Sequence, residues 1–391
     1  MNKKYTLYDF QEEAVQSGLD FFLNSKVKSE LQVICTGGGK SHVCAELCER
    51  LSGDILVLQP TKEILVQNYN KFTVNGGHAG VYSASVGRKD LGRVTFATLG
   101  SIYKQIDKFA HIRQIIIDEA HLNSSPTGGM LVDFLSKLDN PKVLGMTATP
   151  YRLHQTMVGP ILKFITRTRP KIFQRLGYYV QIDKLKKDGR LANLEYYSVH
   201  KGFNRKKIRL NSTGSDFNED ALKEYYKTTN FKHDILDVVK RINAKGKSVL
   251  CFTSFVADAE YISSRLENSA TVHGKTPKKI RNQVEKDFKS GKLKSVINCS
   301  CFSVGFDYPE LDCVVIAKPM RSLSVYFQMA GRAMRTVPNQ PTKTAWIVDC
   351  CDNFRFFGKV EDLRVDMDKI GLPCITGTGG RLLTGIPLMD E

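Results

Sequence analysis

The chain has 391 residues and 42% hydrophobic content, enough for two or three domains with ordinary apolar cores. No stretch approaches the roughly 18 consecutive apolar residues of a membrane span, and Met1 to Leu7 has no secretory apolar core, so a folded, soluble, cytoplasmic protein is expected. The formal charge of +17 is unevenly placed: Lys163 to Arg209 holds fourteen basic residues against Asp183, Asp188 and Glu195. A polyanion is the natural partner of such a field, a solvated charged face being the alternative.

In chain order, Leu31 to Ile34 is a short apolar strand, and Ile34-Cys35-Thr36-Gly37-Gly38-Gly39-Lys40-Ser41 follows it, with a helix from Ser41 to Leu51. Strand, glycine loop and helix in that order form a phosphate cradle. Backbone N–H groups curl around phosphate oxygens, the lysine adds charge and the serine hydroxyl reaches Mg²⁺. The strict pattern wants a glycine where this chain has Ile34. Strand-like runs continue at Ile55 to Leu58, Val94 to Ala97, Ile115 to Ile117 and Val143 to Met146, mostly separated by helical stretches. Polar residues stand just past them: Gln59-Pro60-Thr61, Thr98, the Asp118-Glu119 pair and Thr147-Ala148-Thr149. This alternation predicts an α/β fold with a mostly parallel sheet and functional loops at the strand carboxyl ends.

The pattern stops near Pro150 and resumes after Lys247 with Val249 to Phe252, Ala270 to Val272, Val296 to Asn298, Val314 to Ala317 and Trp346 to Val348. Between the halves the chain is basic and less regular, and Leu191 to Val199 reads as a strand leading into the second sheet. Lys201 to Thr213 reads equally as an exposed basic loop or a charged connector. Beyond Phe356 periodicity weakens toward the glycine-rich Thr376 to Gly380. The expected domains are 1–168, 169–355 with the connector included, and a C-terminal extension 356–391. Most of the ten cysteines, such as Cys251, Cys299 and Cys313, lie in apolar runs and read as small buried hydrophobes in a reduced compartment. Cys350-Cys351 with Cys374 has the wrong spacing for zinc, so no structural metal is expected.

The order of these motifs resembles that of superfamily 2 helicases and translocases of the DEAH type. The resemblance spans nearly the whole chain and implies two tandem RecA-like domains. Thr36 through Ser41 look like motif I, whose first glycine is commonly absent in this superfamily, and Gln11 looks like the glutamine that reads adenine. Asp118-Glu119-Ala120-His121 resembles motif II. There Asp118 and Ser41 would hold Mg²⁺, Asp118 through water, and Glu119 would orient and deprotonate the attacking water. Thr147 and Thr149 resemble motif III, which with His121 couples nucleotide to nucleic acid. Val304-Gly305-Phe306-Asp307 resembles motif V, placing Gly305 and Asp307 at the nucleotide. Gln328-x-x-Gly331-Arg332-x-x-Arg335 fits motif VI. Arginines three apart lie on one helical face, so Arg332 and Arg335 are expected to reach one phosphate together.

The implied mechanism is ATP held by the first domain and completed by arginines of the second, with closure and relaxation driving movement along a strand. Pro60, Thr61, Thr98, Thr253, Ser254 and Ser300 would grip a nucleic-acid backbone through neutral hydroxyls and amides, which do not read sequence. The DEAH form and Asp188-Gly189-Arg190-Leu191 look most like the DNA-directed branch: restriction-enzyme motor subunits, XPB-like helicases and small phage helicases. A compact phage or mobile-element DNA helicase, monomeric or weakly associating, in a bacterial or phage-infected cell, is therefore expected. The alternatives are an RNA helicase and an ATP-gated nucleic-acid-binding protein without turnover.

Overall fold

The computed structural model describes residues 5–123, 129–157, 159–199, 203–299, 308–337 and 343–387. They form two compact units. The first comprises Met1–Arg152, Lys163–Gln181 and Val365–Cys374; the second comprises Leu153–Leu162, Ile182–Arg364 and Ile375–Glu391.

In the first unit, helix α1 (Asp9–Asn24) precedes β1 (Ser29–Val33), α2 (Lys40–Arg50), β2 (Ile55–Gln59), α3 (Lys62–Val74), β3 (Ala79–Ser83), β4 (Arg88–Lys89), β5 (Val94–Thr98), β6 (Gln114–Ile117) and β7 (Lys142–Thr147). A hairpin of β8 (Tyr151–Thr156) and β9 (Gly159–Phe164) follows, whose Leu153–Leu162 belong to the second unit, and then β10 (Arg175–Tyr179) of the first. The eight-stranded sheet runs β10-β1-β7-β6-β2-β5-β3-β4, parallel except at β3–β4. β1 and β2 are buried at every residue, as expected of strands covered on both faces. The parallel direction gathers the loops after β1, β2, β5, β6 and β7 at one edge, where the polar residues lie.

β10 lies in the stretch read as an irregular basic connector. Its Arg175 pairs in register with Glu30 of β1 and donates Nε to that carboxylate at 2.6 Å. Burial pushes the Glu30 carboxyl up and Arg175 opposes the shift. Arg175–Tyr179 thus extends the first sheet, and the boundary drawn at 168/169 falls inside the first unit. The segment 356–391 is likewise divided, Val365–Cys374 packing with the first unit and Ile375–Glu391 with the second.

The second unit is built on β11 (Asn193–Ser198), β12 (Val249–Thr253), β13 (Ser269–His273), β14 (Ser295–Cys299), β15 (Cys313–Ala317) and β16 (Thr344–Asp349). Their order is β11-β16-β15-β12-β14-β13, with every pair parallel. The strand read at Leu191 to Val199 is β11, at the sheet edge. Before it, the short helix Ile182–Lys187 ends with Gly189 N–H on the Lys186 carbonyl and Arg190 N–H on the Leu185 carbonyl. Gly189 has φ 65, the left-handed position this cap needs, so Asp188-Gly189-Arg190 is a helix stop.

Several charges of the basic stretch Lys163 to Arg209 have structural partners. Arg167 meets Asp368 at 2.6 Å and Lys186 meets Glu361 at 3.0 Å. Arg205, buried, donates to the Cys351 and Met320 carbonyls and to Asn353 Oδ1, and its guanidinium stacks on Phe217 and Phe356. In the described part of Lys201 to Thr213, the connector reading therefore holds at Arg205 itself.

Candidate nucleotide site

The glycine loop leaves β1 and enters α2. Gly37 and Gly39 have φ 86 and 78, which L side chains rarely adopt. A Cβ on Gly38 would stand 2.7 Å from Ile34 Cγ2, so close approach enforces the middle glycine. Ile34 occupies the missing first-glycine position as a buried side chain under the loop, and its N–H donates to the Thr147 carbonyl at 3.0 Å. Gln11, buried in α1, donates Nε2 to the Gly38 carbonyl at 3.0 Å and accepts the Tyr8 N–H through Oε1 at 3.0 Å. The upstream glutamine is thereby bonded to the loop.

The loops after β6 and β7 converge on the same place. Lys40 Nζ lies 3.5 Å from Glu119 Oε1, and Glu119 Oε2 lies 3.5 Å from His121 Nδ1. His121 Nδ1 is 2.9 Å from Thr147 Oγ1, which accepts the Thr149 N–H at 3.0 Å. A polar chain therefore runs Lys40, Glu119, His121, Thr147, Thr149. Its last hydroxyl, Thr149 Oγ1, is buried with no hydrogen-bond partner among the described residues. Glu119 has φ 44, a strained conformation for a non-glycine residue that costs about 1–2 kcal/mol. Strain of this kind persists where surrounding contacts fix the side chain.

Asp118 is buried, accepts Asn68 Nδ2 at 2.9 Å and accepts the Glu119 N–H at 2.9 Å. Burial, and then the neighbouring Glu119 charge, push its carboxyl up to about 6, against Lys40 and the two hydrogen bonds. Burial lowers the His121 pKa, favouring neutral imidazole. Ser41 Oγ accepts Lys71 Nζ at 2.9 Å. Ser41 and Asp118 are the oxygen donors that a hard divalent cation takes, and a carboxylate pair in burial needs positive charge beside it. The residues fit Mg²⁺, and the glycine loop fits a phosphate chain. Asn68 and Lys71 escaped the sequence reading. The available signal was their spacing of three on a helix that starts at the capping residue Thr61, which puts both on one face.

One expectation changes in the second unit. The helix bearing Gln328 spans Leu323–Ala330 and Gly331 caps it, so Arg332 and Arg335 do not share a helical face. The chain turns instead through i to i+3 bonds at Arg332, Ala333 and Met334, and Arg335 forms a bridge with Leu191 while Ala192 N–H donates to the Met334 carbonyl. Arg332 is buried. The Arg335 carbonyl accepts Lys343 Nζ at 3.1 Å, and burial pushes that ammonium down to about 8. Gly305, Asp307 and Ser300 lie outside the described residues.

The expected nucleic-acid residues do stand at strand ends, but several hydroxyls have structural partners. Thr61 Oγ1 caps α3 by accepting the Ile64 N–H, with Pro60 just before it. Thr98 Oγ1 lies 3.1 Å from Ser83 Oγ and 2.9 Å from Ser101 Oγ. Thr253 Oγ1 donates to the Phe255 carbonyl, and Ser254 Oγ lies 3.0 Å from the Tyr226 hydroxyl.

Residues 4–152 match the family model "Type III restriction enzyme, res subunit", and residues 232–337 match "Helicase conserved C-terminal domain". The chain belongs to the superfamily 2 helicases. The first match contains the glycine loop, Asp118-Glu119 and Thr147 to Thr149; the second contains Gln328, Arg332 and Arg335. Among curated relatives, a 51.5 kDa protein of a Lactococcus phage is 27% identical over 82% of this chain and 65% of its own length. The DNA 3'-5' translocase XPB2 of Sulfurisphaera tokodaii is 23% identical over 85% of this chain and 79% of its own. The chain therefore spans slightly less than two thirds of the phage relative. A fragment of an HsdR subunit of a type I restriction enzyme from Vibrio vulnificus shares the fold, with a TM-score of 0.65 at 19% identity over 98% of this chain and 71% of that one. No helix among the described residues is long and apolar enough to cross a membrane.

Proposed function

We propose that this superfamily 2 protein is an ATP-dependent DNA translocase or helicase, with branched or forked DNA as its favoured track. The observation that carries the reading is the convergence of Lys40, Glu119, His121 and Thr147 beside the glycine loop. A loop for phosphate, a carboxylate for water and a relay toward the next strand end are what nucleotide-driven movement needs.

On this reading the loop N–H groups of Thr36 to Gly39 and the Lys40 ammonium hold the phosphates, and Gln11 contacts the base while steadying the loop. Ser41 and Asp118 would hold Mg²⁺, which supplies neutralisation of phosphate-oxygen charge when bound. Glu119 orients the attacking water and takes its proton as the water oxygen bonds the γ-phosphorus and the bond to the β–γ bridging oxygen breaks, giving ADP and phosphate. Arg332 and Arg335, with Gln328, are assigned to the charge spreading over the transferring phosphoryl, since a guanidinium fork matches its oxygens. Gly305 and Asp307 are assigned to the nucleotide by motif alone. His121, Thr147 and Thr149 carry the change at Glu119 toward the strand ends, and Pro60, Thr61, Thr98, Thr253, Ser254 and Ser300 are assigned to the nucleic-acid backbone.

The restriction-subunit match and the archaeal relative's name as a DNA translocase support DNA over RNA. ATP turnover with single-stranded, duplex, forked and four-way DNA beside matched RNA tests the reading. Stimulation by DNA, strongest with forks, is expected. Stimulation by RNA alone makes it an RNA helicase, and nucleotide binding without turnover makes it an ATP-gated binding protein.

A further inference from the structure

Helix α3 reaches both oxygen donors of the candidate metal position from one face. Asn68 Nδ2 donates to Asp118 Oδ2 at 2.9 Å and to Gln59 Oε1 at 3.2 Å. One turn on, Lys71 Nζ donates to Ser41 Oγ at 2.9 Å. A cation thus already stands on the hydroxyl that would receive Mg²⁺. An ammonium and a divalent ion on one hydroxyl oxygen repel strongly at that separation, and burial weakens screening.

We propose that Lys71 is a resident cation of the metal position: it holds Ser41 in the nucleotide-free protein and must withdraw when Mg²⁺ enters with the nucleotide. Lys71 is a positioning residue, acting on the metal position through Ser41. Its withdrawal loads α3, whose first turn is capped by Thr61 in the loop after β2. Metal arrival is thereby felt at that strand end by a route separate from His121 and Thr147. This inference rests on the reading of Ser41 as a metal ligand.

The test is the affinity of a fluorescent ADP analogue, measured by equilibrium titration in excess Mg²⁺ and in EDTA. In Lys71→Met the ammonium no longer opposes the metal, nor does it substitute for it in EDTA. The ratio of the EDTA dissociation constant to the Mg²⁺ one is expected to rise roughly tenfold over wild type. Lys71→Arg, which keeps the charge, leaves the ratio near wild type, and in a Ser41→Ala background Lys71→Met has no further effect on it. Lys71→Gln replaces Lys71→Met should thermal melting show that the latter loses the fold. A ratio within about twofold of wild type in the folded neutral variant overturns the proposal. Lys40→Ala separates the two claims. If it binds the analogue as tightly as wild type, the phosphate-cradle reading fails; if it weakens binding while Lys71→Met changes nothing, only the role of Lys71 fails.

Discussion

The carboxyl ends of the two sheets are built from similar residues and use them differently. In the first unit the groups past the strand ends are tied to one another: the Ile34 N–H to the Thr147 carbonyl, His121 to the Thr147 hydroxyl, and Asn68 of α3 to Asp118. In the second unit they hold chain segments in place. Asp349 accepts the N–H groups of Cys351 and Phe354 and the Asn353 amide, and Arg205 clamps the connector to the Met320 and Cys351 carbonyls. A strand-end polar residue is therefore ambiguous by itself; the difference lies in whether its partners converge beside the glycine loop or fasten chain segments together. The first edge is a preorganised polar site, and the described part of the second ties its own chain segments together.

The largest effect is expected where the first edge would do chemistry. Glu119→Gln should lower ATP turnover by about 10³-fold with nucleotide binding retained, since it removes the proton acceptor, and the charge facing Lys40, while keeping the side chain's shape. Steady-state hydrolysis beside a binding titration checks this. Gly39→Ala comes next: a Cβ there meets Gln11 Nε2 at 2.3 Å on a backbone with φ 78, so nucleotide affinity should fall by about tenfold or more. Calorimetric titration is the readout, and near-normal affinity would mean the loop relaxes more freely than its packing suggests.

The comparison sharpens if damage to the second edge leaves the first intact. Arg205→Ala removes a buried donor fork from several acceptors and should destabilise the second unit by about 2–4 kcal/mol in denaturant melts, with nucleotide affinity unchanged. A loss of affinity in folded Arg205→Ala would break the distinction drawn between the edges. The smallest effect is Thr61→Ala, a lost helix cap worth about 1 kcal/mol, seen as a modest drop in thermal stability.

The buried parallel strands were legible because near-continuous apolar runs such as Ile55 to Leu58 are what such strands require. β10 was not, because Arg175 to Tyr179 alternates exposed and half-buried residues and pairs with β1 across a long separation. The glycine loop was legible because its backbone angles admit few other residues. The helical placement of Arg332 and Arg335 failed at Gly331, where spacing on a helix gave way to a turn held against Leu191 and Ala192. Asn68 and Lys71 carry no motif beyond a shared helical face, and the fold alone brings that face to Asp118 and Ser41.

The most direct test of the account is ATP hydrolysis with forked DNA by the wild-type protein and Lys40→Ala, each shown to be folded. Hydrolysis stimulated by the DNA in the wild type and lost in Lys40→Ala is the predicted result. A Lys40→Ala protein that hydrolyses ATP at the wild-type rate would contradict it.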